Sequence, residues 1–354
     1  MIISRTPFRI SLFGGGTDYP AWYRKQGGEV LATTIDKYCY LTCRYLPPFF
    51  EHRIRLVYSK IENCHSVDEI AHPAVRSVLR HLKFDRGLEL HHDADLPARS
   101  GMGSSSAFTV GLLHALYALQ GQIVSKRQLA QESIHIEQDM LQETVGCQDQ
   151  ILAAYGGFNH IAFQADGEGV MTPFVVKPLW LGPERVEELR SHLMLFYTGI
   201  KRTASTVAES YIGDIERHDS QLRALRDMVR KAIVILSGRQ EVTQIGELLH
   251  DSWMIKRSLS PAVANPEVDG IYEQARAAGA IGGKVLGAGG GGFMLFFAPP
   301  IRQKTLLEKL SKLIHVPIRF ETQGSQIVFN DPEQDYSDEE RARVNRPAPF
   351  FREL

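Results

Sequence analysis

Little in this chain announces its class at first sight. Four cysteines in 354 residues, Cys39, Cys43, Cys64 and Cys147, show neither CxxC nor zinc-type spacing, which argues against a disulfide framework or a zinc site. They read as reduced packing residues. No uncharged apolar run approaches the roughly 18 residues that a membrane span requires. The opening MIISRTPFRISL alternates like a strand and lacks the apolar core of a signal peptide. Forty Lys+Arg against 41 Asp+Glu leave a net charge of −1, so no overall field favours nucleic acid or an anionic membrane. The expected setting is the cytoplasm, and the expected partners are small molecules. The GxxxxGK[ST] phosphate loop is missing too, because Lys284 precedes its glycines and is followed by valine.

What the chain has instead is glycine gathered into three loops: PFRISLFGGGTDYP (7–20), LPARSGMGSSSAF (96–108) and KVLGAGGGGFMLFF (284–297). Glycine lets backbone approach a ligand closely and turn several N–H groups onto one anion. Three such loops between helix and strand signals point to a phosphate-bearing substrate.

The rest of the pattern is α+β. Residues 1–60 alternate like strands, and LELHHDAD (88–95) continues this to the second loop. SSSAFTVGLLHALYALQG then changes to helical spacing, so a helix begins at the loop. Another starts at Ser125, with Gln128 completing a capping box, and runs to about Gln142. Pro173, Pro178, Gly182 and Pro183 mark a domain boundary. The expected units are residues 1–178, 190–330 and a tail at 331–354. In the second half HLMLFYTG reads as a strand, and helical patterns cover about 206–237, 241–258 and 267–278. The 44% hydrophobic and 23% charged fractions suit two ordinary globular domains.

The second loop carries the strongest physical argument for chemistry. GMGSSS runs into a helix, so free N–H groups and the positive end of the helix dipole face an anion. Ser104, Ser105 and Ser106 add hydroxyls for phosphate or Mg²⁺; the plainer reading is that they cap the helix. The third loop contains GxGxxG through Gly287, Gly289 and Gly292, but an apolar strand follows it where a dinucleotide fold requires a helix. Glu137 and Asp149 flank a break at 144–146. Either they are solvated helix acids, or the chain folds back and brings both carboxylates to the serines. His91, His92, Asp93 and Asp95 alternate across a strand, which does not suit a metal site.

Taken together and in this order, the three loops resemble those of the GHMP kinases, the superfamily of galactokinase, homoserine kinase and mevalonate kinase. The resemblance runs from residue 7 to about 298 and implies a two-domain α+β kinase fold with the active site in the inter-domain cleft, using ATP and Mg²⁺. It places Arg99, Ser100, Gly101, Met102, Gly103, Ser104, Ser105 and Ser106 at the nucleotide phosphates. It makes Ser105 and Glu137 the Mg²⁺ ligands and Asp149 the catalytic base. Arg9 is expected to face Asp149 and to stabilise the transferred phosphoryl group. Gly14, Gly15, Gly16, Thr17, Asp18, Arg202, Gly289 and Gly290 fall on the acceptor side.

Two departures narrow the acceptor. Galactokinase-like relatives carry GEHTDY where this chain has GGGTDY, so an acid and a histidine are replaced by Gly15 and Gly16. That opens space and removes a negative charge, which suits a longer sugar ending in phosphate. Arg99 stands where many relatives have glycine. PFRISLFGGGTDYPAWY, TTIDKYCYLTCRYLPPF and LPARSGMGSSSAF most closely resemble the bacterial D-glycero-D-manno-heptose 7-phosphate kinases. That family implies phosphorylation of the anomeric hydroxyl to heptose 1,7-bisphosphate, feeding lipopolysaccharide or capsule synthesis. Candidates for holding the 7-phosphate are the amides of Gly14–Thr17, with Lys37, Arg44 or Arg202. The competing readings are an anomeric kinase for fucose, galactose or a uronic acid, and a non-catalytic sugar or nucleotide sensor.

Overall fold

The computed structural model describes residues 1–165, 173–200, 204–331 and 336–345. Its strands are β1 (Ile2–Phe13), β2 (Gly28–Tyr45), β3 (Ile54–Val57), β4 (Ile61–Cys64), β5 (Leu88–Ala94), β6 (Phe158–Phe163), β7 (Phe174–Pro178), β8 (Leu193–Tyr197), β9 (Gly282–Val285), β10 (Phe293–Phe297), β11 (Ile314–Val316), β12 (Phe320–Glu321) and β13 (Gln326–Asn330). The helices are α1 (Pro20–Gln26), α2 (Pro73–His81), α3 (Ser104–Leu119), α4 (Lys126–His135), α5 (Gln148–Tyr155), α6 (Pro183–His192), α7 (Ala204–Ile212), α8 (Asp219–Ser237), α9 (Thr243–Arg257), α10 (Pro266–Ala277), α11 (Pro300–Lys309) and α12 (Ser337–Asn345).

Two sheets organise these elements. The nine-stranded sheet runs β13-β1-β2-β5-β3-β4, with β6, β7 and β12 joined through β2. The four-stranded sheet runs β11-β8-β10-β9. Phe8, Ile10 and Leu12 on β1 are buried, and α3 and α5 pack on the same sheet. The hydrophobic FMLFF of β10 is buried along its whole length, as expected of a strand covered on both faces.

The chain leaves the first sheet after Pro178 and enters the second at Leu193. The expected end of the second unit at residue 330 needs correction. β12 pairs with β2 and β13 pairs antiparallel with β1, so the chain has already crossed back to the first sheet by Phe320. Short strands carry no mark of which sheet they will join, since pairing is a tertiary choice. α12, within the expected tail, also contacts the first unit: Glu340 accepts the Gly87 N–H at 2.9 Å. The single helical pattern expected over about 206–237 is divided between α7 and α8, with a 3₁₀ turn at Ile215–His218 between them.

Candidate active site

β1 supplies the first functional side chain. Its pairing with β2 is regular to Pro7↔Tyr38 and then jumps to Arg9↔Thr34. Such irregularities re-aim side chains beside functional sites. Here the jump frees the Arg9 N–H for the Met102 carbonyl of the second loop at 3.2 Å. The Arg9 guanidinium donates from Nε and Nη2 to the two Asp149 oxygens, both at 2.6 Å, and from Nη1 to the Gly101 carbonyl at 2.7 Å. Arg9 is buried, while the Asp149 side chain keeps 23% of its surface exposed. A buried arginine thus orients a carboxylate that remains partly exposed.

The helix at the second loop begins as expected. Gly103 is its N-cap in the left-handed region at φ 75°, and no side-chain capping bond reaches the first turn among the described residues. The serines therefore do not have the capping role of the plainer reading, and the first amides of a 16-residue helix are left for an anion. Ser104 Oγ accepts the Arg99 N–H at 3.3 Å, Ser105 is exposed, and the buried Ser100 hydroxyl has no partner among the described residues.

The second carboxylate arrives by a route the sequence does not show. Ser125 caps α4, its hydroxyl accepting the Gln128 N–H at 3.1 Å. The Gln128 side chain turns to Glu132 and Tyr117 instead of closing a capping box. The helix then widens into a π turn at Ile136–Met140, a deviation common at functional sites. This turn buries Glu137 against α3. Ser106 Oγ donates to Glu137 Oε2 at 2.9 Å, and Gln150 Nε2 donates to the same oxygen. Glu137 Oε1 is buried without a hydrogen-bond partner among the described residues. Burial pushes the carboxyl up to about 7.

The unpartnered carboxylate oxygen of Glu137 and its hydroxyl-bearing neighbours are oxygen donors of the kind Mg²⁺ takes, while the amides at the start of α3 suit an anion. The hydroxyl that bonds Glu137 is that of Ser106, while Ser105, the serine expected at Mg²⁺, is exposed on a neighbouring face of α3. Adjacent helical residues point about 100° apart, so only one of them faces the carboxylate.

Asp18 sits beside this pair. It is fully buried, accepting from Gly16 N at 3.0 Å, Gln148 Nε2 at 3.0 Å and Gln148 N at 3.3 Å. Burial, with Asp149 nearby, raises its pKa. A Cβ on Gly146 would lie 2.0 Å from Asp18 Oδ2, so this glycine, three residues before Asp149, makes room for the Asp18 carboxylate. Tyr19 and Tyr211 meet edge-on at 6.3 Å alongside it, and burial raises both phenols.

In the first loop, the amides of Gly16 and Thr17 are used internally, on Asp18 Oδ1 and the Gly14 carbonyl. Thr17 is buried, its hydroxyl bonded to the carbonyls of Gly14 and Glu29. These two amides are therefore not open to a sugar phosphate. Arg44 is paired with Glu89, and Lys37 lies 3.1 Å from Asp36. Arg202 lies outside the described residues.

The third loop meets the second backbone to backbone. A Cβ on Gly101 would stand 2.6 Å from the Leu286 carbonyl oxygen, and one on Gly287 would stand 2.8 Å from Gly101 Cα. Phe293 N donates to the Ser100 carbonyl at 3.1 Å. Gly289 and Gly290 are buried behind this seam, where Gly290 N donates to Val263 O at 2.7 Å and Gly290 O accepts from Asn265.

Two lysines complete the charge set, and neither was predicted. Lys256, near the end of α9, donates to the Gly287 carbonyl, and Lys284 of β9 donates to the Leu12 carbonyl at 2.9 Å. Both are buried. Burial, with Arg9 nearby, lowers Lys256 to about 8. Burial, with Lys256 and Arg9 nearby, lowers Lys284 far below the ordinary lysine range.

Two family matches define the class: GHMP kinases N terminal domain over residues 69–157 and GHMP kinases C terminal over residues 229–315. The chain belongs to the GHMP kinases and is a phosphotransferase with an alcohol group as acceptor. It is 30% identical over 322 residues to the D-glycero-alpha-D-manno-heptose 7-phosphate kinase of Campylobacter jejuni, spanning 88% of this chain and 93% of that one. A bifunctional fucokinase/GDP-fucose pyrophosphorylase of Arabidopsis thaliana is 28% identical over 232 residues, covering 64% of this chain and 21% of that protein. In fold, the chain superposes with a TM-score of 0.75 and 22% identity on a crystal structure described as a D-glycero-D-manno-heptose 1-phosphate kinase from Bacteriodes thetaiotaomicron, over 94% of this chain and 100% of the other.

Proposed function

We propose that the protein is a sugar kinase that moves the γ-phosphoryl group of ATP to the anomeric hydroxyl of D-glycero-D-manno-heptose 7-phosphate, giving heptose 1,7-bisphosphate. The observation that carries the kinase reading is the two-bond Arg9–Asp149 pair set beside the uncapped start of α3. The α3 amides and the Ser104 and Ser105 hydroxyls receive the ATP phosphates. Asp149 accepts the proton of the C1 hydroxyl as its oxygen bonds to phosphorus, while the bond from phosphorus to the ADP oxygen breaks. Arg9 fixes the carboxylate for that transfer, and Asp18 holds a neighbouring ring hydroxyl. Glu137 with Ser105 or Ser106 would hold Mg²⁺, which when bound neutralises phosphate charge.

The acceptor rests on two supports. One is the match along 93% of the Campylobacter jejuni enzyme. The other is Gly15, which is half-exposed at an ordinary φ and whose added Cβ would find only ordinary contacts, 3.4 Å from Ser11 Oγ and 3.6 Å from Gln148 Nε2. A side chain fits there, so its absence leaves room on the acceptor side.

The test is Mg²⁺-dependent ADP release from ATP with heptose 7-phosphate, heptose 1-phosphate, mannose 6-phosphate, galactose and fucose in parallel. Selective turnover of heptose 7-phosphate is expected. Preference for an unphosphorylated hexose would sink the argument from Gly15 while keeping the kinase. Silence on every acceptor would favour the sensor reading.

A further inference from the structure

Basic side chains crowd around Arg9. Arg9, Lys256 and Lys284 are buried together, against the carboxylates of Asp18 and Asp149. Asp149 is already engaged by Arg9, and Asp18 by Gly16 and Gln148. Lys256 Nζ has no carboxylate within 4.0 Å among the described residues, and its recorded hydrogen bond goes to a neutral carbonyl, that of Gly287. An ammonium has three donors, so further N–H groups remain for a ligand. A buried cation without a close counter-charge is unfavourable unless an anion joins it.

Its position indicates which anion. α9 lies against β1, bringing Lys256 to the seam between the second and third loops. Arg9 holds the Gly101 carbonyl on one side of that seam, and Lys256 holds the Gly287 carbonyl on the other.

Accepting the phosphoryl-transfer reading above, we propose that Lys256 is a second catalytic cation, supplied from beyond the domain boundary, which contacts the γ-phosphoryl group. It neither gives nor takes a proton in the step. As the bond to the acceptor oxygen forms and the bond to ADP breaks, its charge faces the phosphoryl oxygens opposite Arg9. A lysine present only to hold the Gly287 carbonyl would be replaceable by any neutral donor.

Calorimetric titration of the full-length protein with Mg²⁺ and either ADP or the ATP analogue AMP-PNP separates these roles, because only AMP-PNP carries the γ group. Lys256→Gln keeps a donor for Gly287 but removes the charge. It should weaken AMP-PNP about tenfold or more, as loss of a charge-assisted contact does, and leave ADP within about threefold. Lys256→Arg should recover part of the loss. The melting temperature of the nucleotide-free Gln variant should hold or rise, since a buried charge has gone. Equal weakening of both nucleotides, or unchanged binding with a lower melting temperature, would make Lys256 a packing residue and overturn the proposal. Wild-type protein that binds neither nucleotide would overturn the phosphoryl-transfer reading itself, and this inference with it.

Discussion

Asp149 and Glu137 are both carboxylates near the start of α3, yet their surroundings differ. Asp149 is gripped by Arg9 and keeps a partly exposed face, so Asp149→Asn should lower kcat by about 10²-fold or more, the usual scale of acid–base assistance. A loss of only a few-fold in steady-state assays would assign the rate to positioning. Glu137 is buried with one oxygen unpartnered, and its carboxyl titrates near 7 against an ordinary 4.5. The folded state therefore binds this proton more tightly than the unfolded chain does. Stability falls as pH rises from about 4.5 through about 7, by up to about 3 kcal/mol at about 1.4 kcal/mol per pKa unit. Urea unfolding at pH 5, 6, 7 and 8 without Mg²⁺ should show this slope in the wild type and lose most of it in Glu137→Gln. Lys256 titrates near 8 among Arg9 of β1, Asp18 of the first loop, Asp149 of α5 and Lys284 of β9. If its charge serves the reaction, kcat/KM declines above about pH 8, and Lys256→Arg moves that decline to higher pH.

At the scale of elements, the first loop contains three adjacent glycines with different duties. A Cβ on Gly14 would strike the Glu29 carbonyl oxygen at 2.0 Å, and Gly16 sits at φ +105°. Gly15 has neither constraint. Gly15→Glu should therefore fold with a melting temperature close to that of the wild type. It should lower kcat/KM for the phosphorylated sugar by at least about tenfold through like-charge repulsion, with a smaller effect on plain hexoses, read from parallel kinetics. The site elements differ in how plainly the chain announces them. Gly103 followed by three serines and an apolar helical repeat marks the start of α3 at Ser104, because capping residues and periodicity are local properties. The fold-back between Glu137 and Asp149 is legible as a loss of period. The π turn that aims Glu137 at Ser106 is not, since i→i+5 bonding has no local residue preference strong enough to read. Lys256 is likewise hidden: in DSWMIKRSL it looks like the charged end of an amphipathic helix, and only tertiary packing buries it.

At the scale of the molecule, the polypeptide begins and ends its ordered sheet work in the same place. β1 is covered by β13 from the far end of the chain, through pairs such as Ile2↔Asn330 and Ser4↔Ile327. The Thr6 and Ser325 hydroxyls meet at 2.9 Å. The proline cluster near Pro178 thus marks where the chain leaves the first sheet but not where that sheet is complete. A chain ending at Pro178 should aggregate or stay unfolded, because β1 would present an unpaired edge. One ending at Asp331 should retain a cooperative melt, at a lower temperature for lack of the Glu340–Gly87 bond; circular dichroism distinguishes the two.

The seam between the second and third loops bears on how such an enzyme diverges. Gly101, Gly287 and Gly292 face backbone atoms at 2.3 to 2.8 Å from where a Cβ would stand, so nearly every codon change there pushes main chain against main chain. Substitution is therefore costlier along this seam than at Gly15, where an added Cβ meets only ordinary contacts.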